Sequence, residues 1–125
     1  MTTTRTIGLA VCVAWSAAGV ALAGDAEVIA AEAVANDDGS FRISATVRHA
    51  DEGWHHYADA FVVTAPDGTV LGTRELAHPH VEEQPFTRSL GRVEVPEDLT
   101  HVLVRAVDSV HGEGTEAFRL AVPGR

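Results

Sequence analysis

The sequence contains no lysine, one cysteine and one methionine in 125 residues. Cys12 and Met1 both precede a predicted signal-peptide cleavage site, so the exported domain has neither residue. Without cysteine the domain cannot form a disulfide, although export would permit one. Blue-copper chemistry, which requires a cysteine thiolate, is excluded, and binding of Cu(I) by methionine is disfavoured for the same lack of sulfur ligands.

Positive charge is also scarce. Nine basic residues, all arginine, stand against 18 acidic residues, and the formal net charge is −9. The first 23 residues include one arginine, Arg5, and no acidic residue, which leaves eight basic and eighteen acidic residues and a net charge of −10. Because nucleic-acid binding requires a basic surface, we do not expect nucleic acid to be a partner.

The first 23 residues have the pattern of a signal peptide. A single basic residue, Arg5, precedes an apolar run at residues 7–20, and an Ala-Leu-Ala cleavage motif follows at 21–23. The run is too short to span a bilayer comfortably, so no membrane span is predicted. We therefore predict a signal peptide at 1–23, a mature chain from Gly24, and a periplasmic or secreted location.

Lipid attachment at Cys12 is an alternative way to process this segment. Residues 9–12, Leu-Ala-Val-Cys, resemble a lipid-attachment box. Val11 is large for the position before the cysteine, and the box lies close to Arg5. The Ala-Leu-Ala site at 21–23 is therefore preferred.

The remaining residues, 24–125, are enough for one domain with a modest core. Apolar residues occupy every second position of 41–47, which is the period of a strand with one buried face. Asp-Gly turns at 38–39 and 67–68 separate further short apolar runs. The alanines of 27–35 also suit a helix. Strands are predicted at 27–35, 41–48, 57–64, 69–76, 86–95, 102–108 and 115–122.

Seven short strands with turns at regular spacing predict an all-β fold, a single immunoglobulin-like (Greek-key) β-sandwich. If each strand reverses the one before it, six of the seven histidines come to one end of the sandwich, which we call the histidine pole. His101, at the start of the sixth strand, lies at the other end. The six are His49, His55, His56, His78, His80 and His111.

Converging imidazoles predict a site for a divalent transition metal such as Cu²⁺ or Zn²⁺. The residue before Pro79 is biased to extended conformations, so His78 and His80 can project to the same side. The predicted ligands are His56, His78, His80 and His111, with His49 and His55 as substitutes. Acidic residues near the pole can complete the coordination or orient a ring: Asp51, Glu52, Glu82, Glu83 and Glu113. The competing interpretations are solvated histidines without a metal and a pH-sensing role.

Two other groups at this pole have functional interpretations. Trp54 and Tyr57 can form an aromatic platform for a protein or glycan, although such residues more often pack in or beside a core. Asp108, Ser109 and His111 invite comparison with a catalytic triad. On an extended strand, however, Asp108 points away from the other two. No Gly-x-Ser-x-Gly motif is present either, and we predict that the protein is not an enzyme.

The chain also resembles a group of small exported bacterial proteins of unknown function. The similarity lies in Trp-His-His-Tyr-Ala-Asp at 54–59, in 66–72, in 78–90, which begins His-Pro-His, and in 108–112. It covers most of the mature chain and implies export and a small β-domain, but no activity. The sequence thus predicts an exported metal-binding module, a carrier, buffer or sensor. The alternative is a non-catalytic β-sandwich that docks a protein or a glycan.

Overall fold

The computed structural model describes residues 25–125, which form an all-β domain. The predicted signal peptide and Cys12 lie outside these residues. The strands are β1 Glu27–Ala35, β2 Phe41–Arg48, β3 Ala58–Thr64, β4 Val70–Glu75, β5 Phe86–Val93, β6 His101–Asp108, β7 Gly112–Glu113 and β8 Phe118–Ala121. Within this part of the chain, no helix is long and apolar enough to cross a membrane.

The strands form two antiparallel sheets that enclose one core. One sheet has the order β1-β2-β5, and the other has the order β4-β3-β6-β7, with β8 also paired to β6. The alternating inward residues of β2, such as Ile43 and Val47, belong to the same buried core as Phe61 and Val63 of β3. The predicted all-β sandwich is confirmed, whereas its immunoglobulin-like Greek-key detail stays a prediction.

The Asp-Gly pairs turn the chain as the sequence predicts. Gly39 and Gly68 have φ values of 91° and 96°, a left-handed conformation that glycine adopts without steric cost. The side chain of the aspartate before each glycine accepts a hydrogen bond from the backbone N–H two residues later. Asp38 accepts from Ser40, and Asp67 accepts from Thr69. These turns join β1 to β2 and β3 to β4.

Strand register brings the histidine-bearing loops together. Val47 at the end of β2 is paired with Phe86 at the start of β5, and Ala58 at the start of β3 is paired with Asp108 at the end of β6. Asp51 accepts hydrogen bonds from the backbone N–H groups of Ala58 and His80, which joins these two sheet ends. The loops before β3, before β5 and after β6 therefore share one end of the sandwich. The predicted clustering of six histidines there is confirmed, and His101 begins β6 at the opposite end.

Gly114 fixes the start of the domain against β6. Its amide donates to the carbonyl of Ala106, and a Cβ added to it would lie 2.5 Å from the carbonyl oxygen of Ala26. We expect Gly114→Ala to lower the free energy of unfolding by about 1–3 kcal/mol, because backbone must move to relieve the overlap. Chemical denaturation measures this, with Gly91→Ala as control, since a Cβ at Gly91 meets nothing within 4 Å. Equal effects of the two changes would contradict the expectation.

Candidate metal centre

Asp108 is the central residue of the candidate site. The buried positions of β6 are Val102, Val104, Ala106 and Asp108, so a carboxylate ends a row that is otherwise apolar. The Asp108 side chain is completely buried, and its Oδ1 accepts a hydrogen bond of 3.0 Å from the backbone N–H of Val110. A buried carboxylate requires such partners, and its second oxygen, Oδ2, points to the histidine pole.

Three imidazoles surround the Oδ2 atom of Asp108. His111 Nδ1 lies 2.5 Å away, His56 Nε2 lies 3.0 Å away and His49 Nε2 lies 3.5 Å away. The His56 ring makes edge contacts with both other rings, with centroid separations of 4.9 Å to His49 and 5.1 Å to His111. Two loops thus present three ring nitrogens to one oxygen atom, since His49 and His56 lie between β2 and β3 and His111 lies between β6 and β7.

The outer nitrogens of two of these rings also meet carboxylates. His49 Nδ1 donates to Asp51 Oδ1 at 2.6 Å, in a contact where both side chains are buried. His56 Nδ1 lies 3.1 Å from Glu52 Oε1, and the Glu52 side chain is 59% exposed. A tight turn, in which Gly53 has a φ of 114° and bridges to His56, places that ring over Asp108. Carboxylates in these outer positions orient histidine ligands in metal proteins.

The charges at the site stabilise each other. Burial alone would raise the pKa of Asp108, but hydrogen bonds from the Val110 N–H, His111 and His56 lower it to about 2. The hydrogen bond to Asp108, followed by the one to Glu52, raises the pKa of His56 above its ordinary value. Protonated His56 and ionised Asp108 therefore form a charge pair at this site.

The donor set suits a divalent transition metal. The ligand atoms of His49, His56 and Asp108 all lie within 4.8 Å of one another, and His111 contacts the same carboxylate oxygen. Zinc binds imidazole nitrogen and carboxylate oxygen at about 2.0–2.2 Å, commonly with four ligands. Small inward shifts of these side chains would therefore bring three nitrogens and one oxygen to bonding distance.

Two of the predicted ligands, His56 and His111, belong to this cluster, and His78 and His80 lie in another group. The buried His80 ring stacks on Phe86 with centroids 3.8 Å apart and accepts a 2.9 Å hydrogen bond from Arg88 at Nε2. Burial, and then the charge of Arg88, lowers the pKa of His80. His78 packs on the His80 ring and donates from Nδ1 to the carbonyl of Pro79. The assignment of His78 and His80 as ligands stays a prediction.

The expectation that Asp108 and His111 face apart is wrong. Strand β6 ends at Asp108, and the turn held by the Val110 N–H returns His111 to the same carboxylate. Asp108 is the site residue that sequence reasoning did not select as a ligand. Its position among the alternating buried residues of β6 is the sequence signal that could have identified it as a candidate ligand. The Ser109 hydroxyl accepts from the backbone N–H of Tyr57.

The aromatic pair lies beside the site and outside the core. Trp54 is 68% exposed, and its ring meets that of Tyr57 edge-on at 5.6 Å. His55, next in the chain, is also exposed and lies 3.9 Å from Glu52. The side of the site formed by His56 and His111 is therefore bordered by accessible polar and aromatic groups.

Comparison with known proteins gives one informative relative. No protein-family model matches the chain, and no solved structure matches it significantly. A protein from Halomicrobium mukohataei that bears the name "Putative lipoprotein" is 47% identical to the chain over 75 residues. The match covers 60% of this chain and 36% of that relative, so it spans about a third of the relative's length. The name specifies no activity, in keeping with the resemblance to proteins of unknown function.

Proposed function

We propose that this protein is an exported domain that binds one divalent transition metal ion, as a carrier, buffer or sensor. The proposed ligands are His49 Nε2, His56 Nε2, His111 Nδ1 and Asp108 Oδ2. The observation that carries the proposal is the convergence of three ring nitrogens on one buried carboxylate oxygen, at 2.5, 3.0 and 3.5 Å. Three ring nitrogens that face one buried carboxylate oxygen hold four potential ligand atoms close together before any ion binds.

The ligand chemistry supports Zn²⁺ or Cu²⁺ as the ion. Imidazole nitrogen suits both metals, while the absence of cysteine and of methionine from residues 25–125 disfavours ions that require sulfur. The large excess of acidic residues would attract any cation to the domain. Half-exposed His111 gives the ion a route to solvent, which suits reversible uptake.

Calorimetric titration of untagged residues 24–125 with Zn²⁺ and Cu²⁺ tests the proposal. We expect one ion per chain with a micromolar or lower dissociation constant, because three imidazoles and a carboxylate are already close together. His49→Ala should weaken binding by more than about a hundredfold, since it removes a ligand and the group that Asp51 orients. His101→Ala, at the opposite end of the sandwich, is the matched control. Weak heats without a defined stoichiometry would contradict the proposal.

Export is proposed from the signal-peptide pattern and is supported by the name of the relative. That name favours lipid attachment, whereas the Ala-Leu-Ala motif at 21–23 favours cleavage before Gly24. We expect the mature chain to begin at Gly24, because Val11 is large for the position before a lipidated cysteine. Intact-mass measurement of the exported protein distinguishes cleavage before Gly24 from lipid attachment at Cys12. A mass that includes Cys12 with added acyl chains would contradict cleavage at 23.

A second candidate is a non-metal interaction domain, and the exposure of Trp54 favours it. An indole that is 68% exposed beside Tyr57 offers a flat apolar surface for a glycan or a protein loop. If this function is correct, Trp54→Ala will remove binding of the partner while His56→Ala leaves it intact. Binding of the partner that survives Trp54→Ala would contradict this function.

A further inference from the structure

Asp51 occupies an unusual position next to the metal centre. Its side chain is completely buried, yet it lies in the loop between β2 and β3 and not on a strand. Oδ1 accepts hydrogen bonds from His49 Nδ1 at 2.6 Å and from the backbone N–H of Ala58 at 3.0 Å. Oδ2 accepts from the backbone N–H of His80 at 2.7 Å. Three donors from three separate segments thus meet one carboxylate.

The hydrogen bond from His49 to Asp51 selects one tautomer of the neutral His49 ring. A neutral imidazole carries its proton on one nitrogen and a lone pair on the other. Because the Asp51 carboxylate accepts at Oδ1, the proton of His49 lies on Nδ1. In the neutral ring the lone pair then lies on Nε2, which is the nitrogen 3.5 Å from Asp108. The opposite tautomer would place a proton where a metal ion has to bind.

The geometry points to Asp51 as a positioning residue that keeps His49 in its metal-binding tautomer and fastens the segment before β5 to the metal centre. This inference rests on the proposed metal site, but it concerns a residue that does not contact the ion. Asp51 raises the electron density on His49 Nε2 through the ring and prevents rotation of the ring. The bond to the His80 N–H holds the loop after β4 against the same carboxylate, so one side chain connects both histidine groups of the pole.

Glu52 provides a matched comparison. It is the neighbouring acidic residue and contacts the outer nitrogen of another ligand, His56, at 3.1 Å. Its side chain is 59% exposed, however, whereas that of Asp51 is buried. Water can replace a lost carboxylate contact at the exposed position and cannot do so at the buried one. The two residues therefore have the same kind of contact and different expected effects.

Asp51→Asn and Glu52→Gln test the inference in the full exported chain. In Asp51→Asn the oxygen of the introduced amide can still accept from His49 and Ala58, but its NH₂ group then faces the His80 N–H. We expect the dissociation constant for Zn²⁺ to rise at least tenfold in Asp51→Asn and less than threefold in Glu52→Gln, as expected for outer partners of a ligand. The His80 amide should exchange with deuterium faster in Asp51→Asn, while that of Ala58 keeps its protection.

Nitrogen-15 chemical shifts of the His49 ring in the metal-free wild type provide a test that needs no variant. We expect a proton on Nδ1, and a neutral His49 ring that carries its proton on Nε2 would overturn the inference. Folded Asp51→Asn protein that binds Zn²⁺ as tightly as the wild type would also overturn it, since a purely structural role changes stability but not affinity. If the wild type itself binds no Zn²⁺, the proposed function fails, which is a different result from either of these.

Discussion

Replacing Asp108 with asparagine is expected to abolish one-to-one metal binding. The substitution keeps the size of the side chain and the acceptor for the Val110 N–H, but it removes the negative charge that contacts all three rings. An amide is a much weaker ligand than a carboxylate for a transition metal. The affinity for Zn²⁺ and Cu²⁺ should fall by more than about a hundredfold, beyond the loss expected for an outer partner. Titration calorimetry measures this directly.

The control for this change must remove one charge without removing a ligand. Asp59→Asn does so, because Asp59 lies near the start of β3 in the same sheet, outside the histidine cluster. We expect at most a few-fold loss of affinity from the smaller attraction between charges. Similar losses in both variants would show that net charge, and not coordination by Asp108, determines binding.

Alanine substitution of both His78 and His80 distinguishes two sets of ligands. One set is predicted from the sequence, and the other is proposed from the structure. His80 Nε2 accepts a hydrogen bond from Arg88, and the His80 ring contacts the rings of Phe86 and His78. Alanine at both positions should therefore leave one ion per chain, with His80→Ala costing stability through its lost stacking. Loss of the stoichiometric site in this variant, with binding retained in Asp108→Asn, would favour the set predicted from the sequence.

The fold follows from features that act over a few residues. The two-residue alternation of 41–47 and the Asp-Gly turns at 38–39 and 67–68 depend on local sterics and burial, so the sequence predicts them well. The direction of each strand follows from these turns and places the histidines at one end. Short β7, Gly112–Glu113, was not predicted, because two exposed residues carry no periodic pattern.

The site could be predicted only in part, because its contacts depend on how loops pack. His56 and His111 are placed by strand direction, and the structure adds His49 and Asp108 to them. The sequence pair His78 and His80 looks more like a ligand motif, yet stacking on Phe86 and the charge of Arg88 engage the His80 ring. The carboxylate that ends the buried row of β6, Asp108, lies at the centre of the histidine cluster, whereas the spacing of His78 and His80 does not place them in it. A buried carboxylate such as that of Asp108 requires nearby partners of opposite charge.

The folding stability of the metal-free protein should also depend strongly on pH. The pKa of Asp108 falls from 3.8 to about 2 on folding, so its contribution to stability is present above pH 3.8 and is lost as the pH falls toward 2. That contribution is on the order of 2 kcal/mol. The pKa of His56 rises above 6.5 on folding, so its contribution is present below pH 6.5 and is lost as the pH rises through the raised value. Both contributions are fully present between pH 3.8 and 6.5.

Metal binding should strengthen as the pH rises, which is opposite to the pH dependence of the His56 contribution to stability. An ion can bind His56 Nε2 only after that nitrogen loses its proton, and the raised pKa makes the loss harder. We therefore expect Zn²⁺ to raise the melting temperature of the wild type strongly at pH 8 and hardly at all at pH 5. Thermal denaturation at both pH values, with and without Zn²⁺, measures the difference, and His101→Ala should behave like the wild type. A metal-induced increase of equal size at both pH values would mean that His56 is not a ligand, because proton and metal compete for the same lone pair.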